Sequence, residues 1–161
     1  MTITNDEAQK LWELIEPIKV GMLTSMDGYI HRARPMHNVQ DEFNGVLYYF
    51  TRREGDKVEE IATNPEVCIS YEDHDKEHYV SLSGTAALCT DAALIDKFWN
   101  PFVGAWFPDG KDSNQVALLQ IRIHQAEYWD STSSRMVQLF KIAKANIKHE
   151  MPDMGENEKF G

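Results

Sequence analysis

Arg32 and Arg34 lie two positions apart in "YIHRARPMHNV", residues 29–39, and are the first residues here whose spacing suggests chemistry. In an extended strand they share one face, while His31 and Pro35 point to the other. A proline inside that strand is unusual, because it removes a ladder donor. Some 20 residues later, Phe50-Thr51 ends another extended run and leads into a helical segment with Lys57 in its first turn. A helix start offers unpaired amides and partial positive charge. Thr51 can add a hydroxyl, Lys57 a point charge and Arg34 a planar fork that matches phosphate oxygens. If these groups converge, they bind a phosphate. By composition alone Arg32, Arg34, Arg52, Arg53 and Lys57 read first as ordinary solvated charges, and the spacing makes a phosphate site possible without showing one.

Other chemistries have less to stand on. His74 and His78 are four apart but fall in a turn, with no cysteine or third histidine beside them, so no metal site is expected. Neither G-x-S-x-G, G-x-G-x-x-G nor a Walker loop occurs, which disfavours covalent hydrolysis and the common nucleotide folds. The aromatics from Trp99 to Phe107 fit a lid, a subunit contact or plain core. His37 and His124 read as strand residues facing water.

The elements that would position these residues follow from pattern. "TNDEAQKLWELIEP" reads as a helix, with a Thr4/Glu7 capping box and Pro17 as its stop. "IKVGMLTSMDGYI" enters a tight turn at Asp27-Gly28, and the arginine stretch follows as a second strand. After Asn44-Gly45, "VLYYFT" is a third strand. "REGDKVEEIATNP" predicts a short helix with Val58, Ile61 and Ala62 on one face. "VCISYED" and "YVSLSGTAALC" are strands joined by "HDKEH", and "DAALIDKFW" is a helix. "NPFVGAWFPDGKD" reads as a loop, "VALLQIRIHQAEYWD" as a strand with one wet face, and "SSRMVQLFKIAKANI" as a helix. The ending, "KHEMPDMGENEKFG", reads as too polar to pack. About six strands in hairpin order predict an antiparallel barrel or a strongly bent sheet. The expectation is one domain over 1–150 with a polar tail over 151–161.

Bulk properties narrow the partners. The 161 residues carry a formal net charge of −10, which argues against non-specific nucleic-acid binding. No apolar run approaches a membrane span, and no secretory signal is read at the start, so no membrane partner is expected. Cys68 and Cys89 are isolated. The cytoplasm is the expected compartment.

In order, "HRARPM", "YYFT", "GDKVEEIATNPEVCISYED", "YVSLSGTA", "WFPDG" and "AEYWD" resemble the general stress protein branch of the pyridoxamine 5'-phosphate oxidase-like flavoproteins. The resemblance runs from about Trp12 to Asp130, and "MGENEKF" is similar to that family's ending. It implies a mainly β fold with helices, a six-stranded antiparallel split β-barrel. It also implies a homodimer with FMN in clefts at the subunit interface. Arg34 then matches the strand arginine on the FMN phosphate, and Pro35 and Met36 the segment along the isoalloxazine ring. Phe50 and Thr51 match the pair at the phosphate end, and Lys57 a further phosphate ligand. Tyr79 falls where related oxidases carry a glutamine near the flavin, and Trp106 is implied to cover the cofactor from the partner chain.

Two departures stand out. The family's "S-R-K" element reads "GDK", so Gly55 and Asp56 replace a hydroxyl and a cation beside the phosphate. The "R-x-D-R-L-x-P" ending of true pyridoxamine phosphate oxidases is absent, so vitamin B6 synthesis is not implied. The implied function is an FMN-dependent oxidoreductase acting on a small molecule. A non-catalytic flavin-binding or sensing protein, or a cleft holding deazaflavin or haem, are the alternatives. No residue presents itself as a general acid or base.

Overall fold

The capping box forms as its residues require. Thr4 starts α1 (Asn5–Ile15) by accepting the Glu7 amide, while the Glu7 carboxylate takes the Thr4 amide. The computed structural model describes residues 3–130, 148, 151 and 155–161. After a 3₁₀ turn at Glu16–Ile18 come β1 (Val20–Asp27), β2 (Ile30–His37), β3 (Val46–Arg52) and α2 (Asp56–Thr63). They are followed by β4 (Glu66–Asp73), β5 (His78–Cys89), α3 (Ala92–Phe98), α4 (Pro101–Trp106), β6 (Val116–Asp130) and β7 (Glu156–Phe160). No helix among the described residues is long and apolar enough to cross a membrane.

The strands form one antiparallel sheet in the order β2-β1-β4-β5-β6-β3, which does not close on itself, and β7 also pairs with β6. The 15-residue β6 makes this possible. One edge lies along β5, and the other is shared by β3 at Val116–Arg122 and β7 at Ala126–Asp130. Register shifts between Ser83 and Gly84, where a Cβ on Gly84 would come within 2.6 Å of the Arg122 carbonyl oxygen. Only glycine permits that approach, and the resulting irregularity bends the sheet.

Leu11 and Ile15 of α1 pack with Leu23, Leu47, Ile69, Leu82 and Ile121 from the concave face of the sheet into the main core. Within it the Tyr49 hydroxyl meets that of Tyr71, which donates to Asn38 Oδ1 at 2.6 Å, tying β3 and β4 to the end of β2. On the other side of β3 and β6, Ile95 and Phe98 of α3 close a second core with Val116 and Leu118. β3 is thus covered on both faces, which fixes the direction in which its last residues emerge.

Three expectations need correction. The sheet has seven strands rather than six, because Glu156–Phe160 pairs with β6 and Phe160 packs on Tyr128 at 5.9 Å between ring centroids. An edge strand needs only backbone pairing and one apolar contact, so polar composition did not exclude it. The aromatic loop contains α4, begun by Asn100, whose side chain accepts the Val103 amide at 3.0 Å, and by Pro101 at the first helical position. In α2, Ala62 is exposed and Glu60 is buried instead. The helix expected over 133–147 lies outside the described residues.

Candidate functional site: a cleft between β2, β3, α2 and α4

β3 delivers Phe50 and Thr51 to the mouth of the gap between α2 and α4. From there the chain turns through Arg53–Gly55 into α2. Arg53 holds this turn, its Nε donating to the Val116 carbonyl at 2.9 Å and its amide to Gln115 at 2.9 Å. Gly55 caps α2 at φ 133° and ψ 165°, a region open essentially to glycine alone. Having no side chain, it leaves the helix start without a side-chain acceptor, so the first amides stay available.

The result is a cleft of about 480 Å3 lined by Pro35, Met36 and His37 from β2, Phe50 to Arg52 from β3, Glu54 to Val58, and Phe102, Val103, Trp106 and Phe107. Its two ends differ in chemistry. One is aromatic: Phe50 meets Trp99 edge-on at 5.7 Å, His37 lies against Phe102 with the rings tilted by 44° and their centroids 4.7 Å apart, and Trp106 stays 67% exposed. The other holds Thr51 and Lys57. Thr51 is only 6% exposed, yet its hydroxyl makes no hydrogen bond among the described residues. Lys57 Nζ reaches only a weak acceptor, Met36 Sδ at 3.5 Å, and pairs with no carboxylate among the described residues. Burial, then repulsion from Arg34, pulls the Lys57 ammonium below the ordinary lysine range, against a smaller upward pull from Glu60.

Behind the cleft wall lies a buried polar network. Glu60, one turn along α2 from Lys57, accepts Arg34 Nη2 at 2.7 Å and the hydroxyl of Ser25. Arg34 also donates to Ser25. Arg32 reaches Glu60 at 3.3 Å, and Asp27 and Asp56 at 3.5 Å each. Burial pushes the Glu60 carboxyl up, but the hydrogen bonds from Ser25 and Arg34 and the charges of both arginines outweigh it. The group stays below the usual carboxylate range. Asp56, at the cleft rim, has its side chain 78% exposed and its carboxylate 3.5 Å from Arg32.

Of the eight residues expected at a site, Pro35, Met36, Phe50, Thr51, Lys57 and Trp106 meet in this cleft. Trp106 does so within its own chain. Arg34 does not line the cleft, because Glu60 and Ser25 hold its guanidinium. Tyr79 lies elsewhere, on the outer face of the sheet in a depression of about 360 Å3 with Met22 and Trp129. Sequence reasoning missed Ser25 and Glu60. No local signal marks them, since Glu60 is 35 residues from Ser25 and 26 from Arg34. His37 and Phe102 were also missed; the Asn100-Pro101 helix start was the available clue to the second.

Known proteins share this architecture. General stress protein 26 of Bacillus subtilis is 33% identical over 119 residues, 72% of this chain and 83% of that protein. The crystal structure of a protein described as general stress protein 26 from Jannaschia sp. CCS1 superposes with a TM-score of 0.74 at 28% identity, covering 98% of this chain and 99% of that one. The general stress FMN/FAD binding protein from Xanthomonas citri gives 0.71 at 28% identity, covering 81% and 93%. Residues 6–153 match the family described as Pyridoxamine 5'-phosphate oxidase like, and the chain belongs to that family.

Proposed function

We propose that the cleft binds flavin mononucleotide and that the protein is an FMN-dependent oxidoreductase acting on a small molecule. One observation carries this reading: the hydroxyl of Thr51 and the half-buried ammonium of Lys57, neither with a strong partner among the described residues, face the same cleft as an aromatic wall. A hydroxyl and a cation left free to bond at one end of a largely aromatic cleft suit a ligand with an anionic end and a flat apolar end. Thr51, Lys57 and the open start of α2 would hold the phosphate. Pro35 and Met36 would lie along the ring system, with Phe50 and Trp106 limiting its exposure to water. Pro35 has no N–H, so any backbone donor to the ring from this stretch comes from Met36. When bound, the flavin supplies the electron-transfer chemistry, while these side chains bind, orient and shield it.

The proposal includes a second copy of the chain. Met22, Tyr79 and Trp129 are each about two-fifths exposed on the outer sheet face, and Met22 is register partner to Pro35. That apolar face therefore runs up to the cleft, and a two-fold copy covering it would bring Tyr79 toward the cofactor across the interface. Cys68 and Cys89 are unpaired, which suits a reducing compartment such as the cytoplasm.

The test is an absorption spectrum of the purified protein, identification of the released chromophore, and mixing with NADH or NADPH. Stoichiometric FMN that either donor bleaches rapidly supports the oxidoreductase. FMN that turns over with no donor or acceptor indicates a binding or sensing role instead. No uptake of FMN by the purified chain refutes the site.

A further inference from the structure

One side chain at the aromatic end of the cleft has no part in the flavin reading. Alternation along β2 sends Met36 into the core and leaves Pro35 and His37 on the opposite face. His37 is exposed, and among the described residues its ring makes no hydrogen bond and no ion pair. Phe102 of α4 lies against it, with ring centroids 4.7 Å apart. The other residues of this end, Met36, Val39, Phe50, Trp106 and Phe107, hold no group that gives up a proton near neutral pH. Phe102 and Trp106 are 49% and 67% exposed, so flat apolar surface is left open beside the imidazole.

We propose that His37 is the proton donor of this cleft and that its substrate is a planar conjugated carbonyl compound, with a quinone as the simplest case. The aromatic surface of α4 takes the flat face of such a molecule, and the imidazolium N–H meets one carbonyl oxygen. Converting a quinone to a hydroquinone takes two electrons and two protons. A hydride from the reduced flavin brings both electrons and one proton. The second proton passes from the imidazolium to the oxygen: an O–H bond forms, an N–H bond breaks, and water returns a proton to the exposed ring. NADH or NADPH, the donors named above, restores the reduced flavin. This inference rests on the flavin reading and names the substrate class of the same site.

The charged groups of the elements around His37 have partners of their own or lie elsewhere. β1 sets Val20 opposite it, and Lys19, whose carbonyl accepts the Asn38 amide, holds its ammonium 2.8 Å from Glu16. Glu72 of β4, beyond β1, lies 3.8 Å from His74, and Arg34 turns to the other face and Glu60. Arg52, Glu54, Asp56 and Lys57 belong to the other end of the cleft.

Two measurements on FMN-loaded wild type and His37→Gln test this. The first is calorimetric binding of 2-naphthoate, whose carboxylate imitates the oxygen anion, against that of uncharged 2-naphthamide. From about pH 5.5 to pH 8 the wild type should lose about tenfold in affinity for the naphthoate alone, as one charge-assisted hydrogen bond is withdrawn. The variant should show no such loss. The second is anaerobic reoxidation of the photoreduced protein by 1,4-naphthoquinone and by ferricyanide, which takes an electron and no proton. The ratio of quinone to ferricyanide rates should fall about 100-fold in the variant, and imidazole added to His37→Ala should restore part of it.

A wild type that reduces ferricyanide but not the quinone overturns the inference while the flavin reading stands. So does an unchanged rate ratio in His37→Gln, even with both rates lowered, which makes His37 a structural residue. Naphthoate binding with the same pH dependence in both proteins overturns it as well. A purified chain that takes up no FMN removes the flavin reading and this inference together.

Discussion

Replacing Lys57 by methionine separates ligand binding from folding more cleanly than any other change at the cleft. Methionine keeps much of the length and the apolar stem beside Met36 and removes only the charge. The ammonium meets no carboxylate among the described residues, and burial pulls it below the ordinary lysine range. Its loss should therefore leave thermal stability unchanged or raise it. A hydrogen bond to a charged group contributes about 1.5–3 kcal/mol, so FMN should bind about 10- to 150-fold more weakly. Riboflavin, which lacks the phosphate, should bind as before. The assay is fluorescence titration of both ligands beside a melting curve of the flavin-free protein. Equal losses for the two ligands would make Lys57 a structural residue. No loss for either would place the phosphate elsewhere.

The same group gives a pH dependence of defined sign. As pH rises through the lowered Lys57 value, the folded protein loses this proton while the unfolded chain keeps it up to the ordinary value of 10.5. Over that window this group's contribution to stability rises, whereas the advantage of FMN over riboflavin falls. A preference for FMN that persists undiminished through the alkaline range would contradict a role for Lys57 in holding the phosphate.

Other outcomes follow from single contacts. Thr51→Val removes a hydroxyl with no partner among the described residues, so stability should hold or rise while FMN binds several-fold more weakly, the effect of about 1 kcal/mol; titration and melting check this together. Gly55→Ala meets no atom within 4 Å but must adopt φ 133°, so backbone strain alone, about 1–3 kcal/mol, should lower the melting temperature by roughly 2–10 °C. Glu60 has a lowered pKa, so its stabilising effect is complete above the usual carboxylate range and is lost as pH falls through its folded value. Acid titration of unfolding should therefore be steeper in the wild type than in Arg34→Met/Glu60→Met. Trp129→Glu places a charge on the exposed sheet face and should shift the protein toward monomer in sedimentation, with the fold retained by circular dichroism.

Much of this protein is legible in its residues. Period-two and period-3.6 patterns, the Thr4 and Glu7 cap and the Gly turns define most of the strands and helices, because those signals act between near neighbours. The two arginines do share a face, and both reach Glu60. Thr51 and Lys57 do meet at one cleft, because only a short turn separates the end of β3 from the start of α2. What the sequence could not determine is which partner each charge takes. Glu60 lies one helical turn from Lys57 and has the composition of a solvated residue. Only the packing of α2 against β1, with Arg34 reaching across from β2, buries it between Ser25 and Arg34. Composition likewise read 156–160 as tail, where the free edge of an unusually long β6 makes it a strand. Local sequence sets where the chain bends and which face each side chain takes. The pairing of buried charges and the use of sheet edges depend on segments far apart in the chain, so the tertiary structure decides them.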